Sequence, residues 1–296
     1  MDGIIIINKE EGFTSHDVVA KLRGILRMKK IGHTGTLDPM ATGVLPVCIG
    51  QGTRLVELLT DKKKTYRAVL HLGVTTDTQD CTGTILEERP IAVTEEELQS
   101  TVASFLGEYW QVPPMYSALK VNGKRLYELA REGKEVERAA RRVEFYDIQI
   151  QKVAFPFVTM EVTCSKGTYI RTLCHDIGEK LGCGGCMEEL QRTGTGGYTL
   201  LQSHTLSEVE TYMKSGRIDE ILIPVQEVLK EYPILTCIPS ADRLLDNGNP
   251  LSAEQVSGSH KDGWTRMCRS DGRFMGIFQW EEKRQKYLPV RMFPGL

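Results

Sequence analysis

The order in which apolar residues change period along the chain constrains its fold most. Ile4 to Ile7 form an unbroken apolar run of strand length. Val18, Val19, Leu22, Ile25 and Leu26 then recur at helical spacing behind Thr14 and Ser15, either of which can cap a helix. Lys64 to Leu72, Val143 to Val153 and Phe157 to Cys164 alternate as half-buried strands do. Thr94 and Glu97 form a capping box ahead of Leu98, Val102 and Phe105. Gly167 ends a strand and Thr168 opens a helix carrying Ile170, Leu173, Ile177 and Leu181; Leu206 to Tyr212 reads as another helix. Strands and helices mix without regular βαβ alternation, which predicts an α+β sheet core and not a doubly wound one.

After this point the pattern changes. Pro224, Pro233 and Pro239 punctuate a short stretch, followed by a helical piece at Ser240 to Leu245 and strands at Trp264 to Arg269, Phe274 to Trp280 and Tyr287 to Met292. Asn247-Gly248 and Asp271-Gly272 read as hairpin turns. The expected organisation is a main domain over 1–230 and a small β-rich module over 231–296, with no internal repeat.

The chain has 296 residues, 41% hydrophobic and 26% charged, with a formal charge of −2. It begins without the basic flank and length of a signal peptide, and no apolar stretch approaches a membrane span, so a cytoplasmic protein with no membrane contact is expected. Eight cysteines without a secretory signal read as reduced thiols. Cys183 and Cys186 have zinc-like spacing but no second pair to complete a tetrahedral site, so no metal is expected.

The net charge does not advertise nucleic acid, but local clusters do more, because phosphate attraction is screened within about 8 to 10 Å. Arg23, Arg27, Lys29 and Lys30 form one cluster. Lys62, Lys63 and Lys64 precede Tyr66 and Arg67, Lys120, Lys124 and Arg125 follow Tyr116, and Arg138, Arg141 and Arg142 form a fourth. Each alone reads more readily as a solvated face; together, two of them beside tyrosines, they point to an RNA or polyanion surface.

The segment Gly32-His33-Thr34-Gly35-Thr36-Leu37-Asp38-Pro39-Met40-Ala41-Thr42-Gly43-Val44-Leu45 displays one carboxylate in a Gly/Thr-rich loop. Glycines relax the backbone around Asp38 and Pro39 fixes φ just after it, which suits a nucleophile held at a defined spot. Asp-Pro also marks ordinary turns.

Together with Lys64-Thr65-Tyr66-Arg67, Pro114-Met115-Tyr116-Ser117-Ala118-Leu119-Lys120 and Ser165-Lys166-Gly167-Thr168-Tyr169-Ile170-Arg171-Thr172-Leu173, this loop resembles, in order, the TruB family of tRNA pseudouridine synthases. Ile7-Asn8-Lys9 with Gly12, Ser15 and His16 is similar as well, as is Gly182-Cys183-Gly184. The resemblance weakens over 231–296.

The resemblance implies a mixed, largely antiparallel sheet core, an inserted segment at about 115–142 that closes on RNA, and a C-terminal PUA-like barrel. It implies isomerisation of uridine 55 in the tRNA T loop to pseudouridine, with the base flipped out and no metal or organic cofactor. Carried over residue by residue, Asp38 is the carboxylate that reacts with the nucleoside and Arg171 its partner. Tyr66 stacks on the base, its hydroxyl suited to proton transfer at C5. Tyr169 and Leu190 line the pocket, and His33 fills the space left by the flipped nucleotide. Lys9, Lys63, Lys64, Lys120, Arg131, Arg142 and Arg192 are the expected RNA contacts, while Gln191 stands where the family often has an arginine. The expected partner is the T stem-loop, with the acceptor arm on the C-terminal module through Arg266, Arg269 and Arg273; a monomer needing no protein partner is expected. The alternative reading is a tRNA-binding or RNA-folding protein in which catalysis is secondary or absent. A pure binder has no need of Asp38 paired with Arg171.

Overall fold

The computed structural model describes residues 1–60, 62–121 and 123–296. The Ile4 to Ile7 run becomes β1 (Gly3–Lys9), with all four isoleucines buried. Ile5 and Ile7 pack on one side of the sheet and Ile4 and Ile6 on the other, which is why the run is apolar throughout instead of alternating. Helix α1 (Ser15–Leu26) starts at Thr14, whose side chain closes a capping box with Asp17, and stops at Arg27 in a left-handed conformation. Ser15 is thereby freed from capping and exchanges hydrogen bonds with the main chain of Leu37.

The strands β2 (Ile31–His33), β3 (Thr42–Ile49), β4 (Lys64–Leu72), β5 (Gly107–Gln111), β6 (Arg141–Ala154), β7 (Phe157–Cys164) and β8 (Gly185–Thr195) join β1 in one sheet. Its order is Ile223–Pro224, then β1, β3, β8, β4, β7, β6 and β5, with β2 beside β3. All these pairings are antiparallel except β3 with β8, where Gln191 faces Thr42 and Arg192 faces Gly43. The expected α+β fold with a mixed, largely antiparallel sheet is the one observed.

Helices α2 (Glu95–Ala103) and α4 (Ile170–Lys180) cover β4, β7 and β6, burying Leu98, Val102, Leu173 and Ile177 against Leu70, Met160 and Phe145. The short α3 (Leu126–Arg131) lies in the 115–142 segment, and α5 (Leu206–Lys214) packs with α1 on β1 and β3. The strand before α4 ends at Cys164, and the helix begins at Ile170 with Tyr169 as its N-cap, later than the Thr168 start expected. Gly167, at φ +78°, turns the chain between them, and Thr168 donates to the Ser165 carbonyl at 2.9 Å.

The C-terminal region forms its own six-stranded sheet, in which β9 (Ile234–Cys237), β10 (Trp264–Cys268), β11 (Phe274–Glu281) and β12 (Lys286–Met292) are the longer strands. This barrel-like β sheet has the character of a PUA-like domain. Asp271-Gly272 turns β10 into β11 as expected. Asn247-Gly248 does not make a hairpin. It ends α6 (Asp242–Asp246), with Gly248 at φ +67° and the amides of Gly248 and Asn249 returning to Leu245 and Leu244. Cys268, Phe274, Ile277 and Phe293 of this region pack on Ile4, Ile6 and Val44, so the two sheets share one apolar cluster.

Candidate active site

The 34–41 loop between β2 and β3 is anchored around Asp38 from several directions. Leu37 N–H donates to Ser15 Oγ at 2.9 Å, and Ala41 N–H to the Asp38 carbonyl at 3.1 Å. The Pro39 carbonyl accepts from Gly12 N–H at 2.9 Å and from Lys9 Nζ at 3.1 Å. Lys9 Nζ also donates to the Phe13 and Glu10 carbonyls. A loop held this way has little freedom left despite its glycines, so its carboxylate is preorganised.

Arg171, in the first turn of α4, places Nη2 at 3.1 Å from Oδ2 of Asp38. Its side chain is 6% exposed while that of Asp38 is 38% exposed, so the anion faces the open side of the pair. The same guanidinium reaches Asp80 Oδ2 at 3.4 Å and the carbonyls of Thr78 and Tyr116 at 3.2 and 2.8 Å. Asp80 is itself buried and accepts from the hydroxyls of Thr78 and Thr82 and the amide of Thr82. One cation thus serves two carboxylates, of which Asp80 is tied into its turn and Asp38 is presented.

Tyr66 and Leu190 are buried neighbours of Leu37 and Ala41 in the same apolar cluster, with Ile170 closing it. Burial pushes the Tyr66 hydroxyl above its ordinary pKa, a rise opposed by Arg192 beside it and reinforced by the Asp38 charge. Burial likewise pushes Tyr169 up, opposed by Ser117 and Arg171. Both phenols are therefore neutral at neutral pH. Tyr169 is fixed through its backbone, because the buried Gln111 side chain accepts from its N–H at 2.8 Å and donates to its carbonyl at 3.0 Å. The site thus sets a carboxylate beside buried apolar side chains and two neutral phenol hydroxyls.

His33 ends β2 half-buried, its Nδ1 without a hydrogen-bond partner among the described residues. Burial, then the Arg192 and His16 charges, push its pKa down, so the ring is neutral at pH 7.

The expected RNA contacts divide in two. Lys63, Lys120, Arg131 and Arg142 are exposed. Lys63 sits over the Tyr146 ring at 3.7 Å, Arg131 over Tyr127 at 5.5 Å, and Arg142 pairs with Glu108. Lys9, Lys64 and Arg192 are buried, contrary to expectation for phosphate ligands. Lys64 Nζ donates to the carbonyls of Thr60 and Lys62, and Arg192 to those of Val44 and Gly35. Their charges are turned inward on main-chain acceptors instead of outward. Of the C-terminal arginines, Arg266 donates to the Tyr232 and Lys230 carbonyls and Arg269 pairs with Asp242 and Asp246.

Asp80 and Gln111 escaped the sequence reading. The Asp77 to Gly83 segment is rich in turn formers and carried a weak signal; Gln111 carried none.

Among the described residues no group of three or more His, Cys, Asp or Glu side chains converges as a metal site would, and no helix is long and apolar enough to cross a membrane. All eight cysteines are free, and burial pushes the Cys48 and Cys186 thiols up to about 12.

The N-terminal domain model of the TruB family of pseudouridylate synthases matches residues 23–170, and the tRNA pseudouridylate synthase B C-terminal domain model matches residues 171–230. A tRNA pseudouridine synthase B of Lachnoclostridium phytofermentans is 48% identical over 306 residues, spanning 99% of this chain and 100% of that one. Its namesake in Clostridium kluyveri is 45% identical over 278 residues, 94% of this chain and 95% of that one. Among solved structures, a crystal structure of a Cbf5-Nop10-Gar1 complex superposes with a TM-score of 0.75 at 26% identity, across 99% of this chain and 85% of the other. The chain belongs to the TruB family of pseudouridylate synthases.

Proposed function

We propose that this protein isomerises uridine to pseudouridine in tRNA, acting on uridine 55 of the T loop with Asp38 as the reacting carboxylate. The Asp38–Arg171 pair carries the reading, supported by the relatives' names. The reaction breaks the bond between C1′ and N1 and forms one between C1′ and C5. C5 gives up its proton and N1 gains one, so nothing is added or lost overall. Arg171 holds the Asp38 carboxylate at 3.1 Å and aims it at the nucleoside, which is what a carboxylate nucleophile or base requires. Tyr66 offers its ring face to the uracil. Stacking of this kind contributes about 1 to 3 kcal/mol, enough to offset much of the few kcal/mol that extruding a base costs.

His33 takes the place of the flipped nucleotide. The 115–142 segment closes on the T stem-loop with Lys120 and Arg131, and the C-terminal module meets the acceptor arm. The Arg171 bond to the Tyr116 carbonyl ties the start of this segment to the reacting pair.

Transcribed tRNA carrying tritium at uracil C5 tests the reading. The protein should release label to water stoichiometrically from uridine 55, and a transcript with cytidine at 55 should release none from the T loop. Tight binding of the uridine-55 transcript without any release would instead support the RNA-folding reading.

A further inference from the structure

Arg192 heads the largest fully buried side chains among the described residues, 1% exposed, and the reaction outlined above gives it no task. It lies on β8 opposite Tyr66 of β4 and beside Gly43 of β3. Nε donates to the Val44 carbonyl at 2.6 Å and Nη2 to the Gly35 carbonyl at 3.2 Å. Gly35 and Val44 bracket the segment that carries Asp38. The guanidinium also lies near enough to the Tyr66 hydroxyl to oppose the rise that burial causes in its pKa. One side chain therefore binds both ends of the loop that bears the carboxylate from the strand position directly opposite Tyr66.

The charge needs explaining. A guanidinium is never deprotonated at working pH, and burying a cation among neutral acceptors is costly. Among the described residues no carboxylate pairs with Arg192, since Asp38 and Asp80 are engaged by Arg171. Holding two carbonyls alone would not require so expensive a group. Arginine is also a donor only, so a bond from it to Tyr66 would be accepted by the phenol oxygen and would leave the phenol proton turned elsewhere.

We propose that Arg192 is a positioning residue of the isomerisation, which fixes the Asp38 loop against Tyr66 and directs the Tyr66 hydroxyl proton into the pocket. The inference rests on the isomerase reading above. It replaces the phosphate contact expected of this arginine with an inward role: Arg192 acts on the rate of the chemical step and not on tRNA affinity.

A double-mutant cycle on single-turnover tritium release, with enzyme in excess and slow reactions followed for hours, tests it. Arg192→Gln should lower the rate roughly 10- to 100-fold, the effect of losing a charge-assisted hydrogen bond, with tRNA affinity and its salt dependence unchanged. On a Tyr66→Phe background the same substitution should cost less than about threefold, and Arg192→Lys should recover part of the rate on the parent background. Equal fold-losses on both backgrounds would reduce Arg192 to a structural anchor and overturn the proposal. So would a loss confined to tRNA affinity, which would restore the phosphate role. If Arg192→Gln does not fold, Arg192→Lys carries the cycle with the same criterion. Absence of release by the parent protein would be a different failure, that of the isomerase reading itself.

Discussion

Arg171 Nη1 stands 3.4 Å from Asp80 Oδ2 while Nη2 of the same guanidinium stands 3.1 Å from Asp38 Oδ2, so the two carboxylates share one cation. Asp80 is buried and held by the Thr78 and Thr82 hydroxyls, so it fixes where Arg171 can point. Asp80→Asn keeps the shape but removes the charge. It should lower the single-turnover rate by about 10- to 100-fold, the effect expected for a charged hydrogen bond, while tRNA affinity stays within about twofold of the parent. Rate and affinity measured side by side check this.

Gln111 binds both main-chain groups of Tyr169, 58 positions away. Gln111→Leu would leave a half-buried N–H and carbonyl without their partner, at a cost of up to about 1 to 3 kcal/mol each. Stability in urea should fall by about 2 kcal/mol or more, and the rate should fall with it because Tyr169 caps the helix that carries Arg171.

Burial lowers the Lys9 pKa to about 8, an effect that the Asp38 and Glu11 charges oppose. The folded value lies below the ordinary 10.5, so the unfolded chain binds more protons between these two values. Stability contributed through Lys9 therefore rises as pH climbs from about 8 towards 10.5. Buried tyrosines and cysteines act in the opposite sense in that range. The difference between parent and Lys9→Met isolates the effect: the gap in unfolding free energy should shift in favour of the parent as pH rises from 7.5 to 10. A gap independent of pH would show that Lys9 is not the titrating group. The same variant should slow the reaction, since the Pro39, Phe13 and Glu10 carbonyls lose their donor.

Gly43 has φ +104°, and a Cβ there would come within 2.2 Å of the Arg192 carbonyl oxygen. Gly43→Ala should cost more than about 2 kcal/mol in denaturant unfolding, through both backbone strain and separation of β3 from β8.

The basic residues separate by burial. Single replacement of the exposed Lys63, Lys120 or Arg131 by Ala should weaken tRNA binding and lower the salt slope by about one each. Lys64→Met should leave that slope unchanged, because its ammonium donates to the Thr60 and Lys62 carbonyls.

Much of the fold was legible because its signals are local. The Lys64 to Leu72 alternation became a strand with those bounds, and the Thr94 and Glu97 capping box formed as read. The α4 start was misjudged because Gly167 turns the chain, so Thr168 stays in a turn and Tyr169 becomes the cap. Asn247-Gly248 carries the same residues whether a helix ends or a hairpin turns, and only the preceding α6 decides between them. The pairing of Asp38 with Arg171 was anticipated from motif order, and the contact at 3.1 Å joins the loop before β3 to the first turn of α4. The inward direction of Lys9, Lys64 and Arg192 was not legible because a basic residue in sequence does not say which way it faces. Gln111 was invisible because its partners are backbone atoms, which any residue supplies.

The reaction of Asp38 is the centre of this account, and Asp38→Asn tests it most directly. With tRNA tritiated at uridine C5, the parent should release label, whereas Asp38→Asn should release none detectable while binding tRNA as tightly as the parent. Release of tritium by Asp38→Asn at a rate near that of the parent would contradict the assignment of Asp38 as the reacting carboxylate.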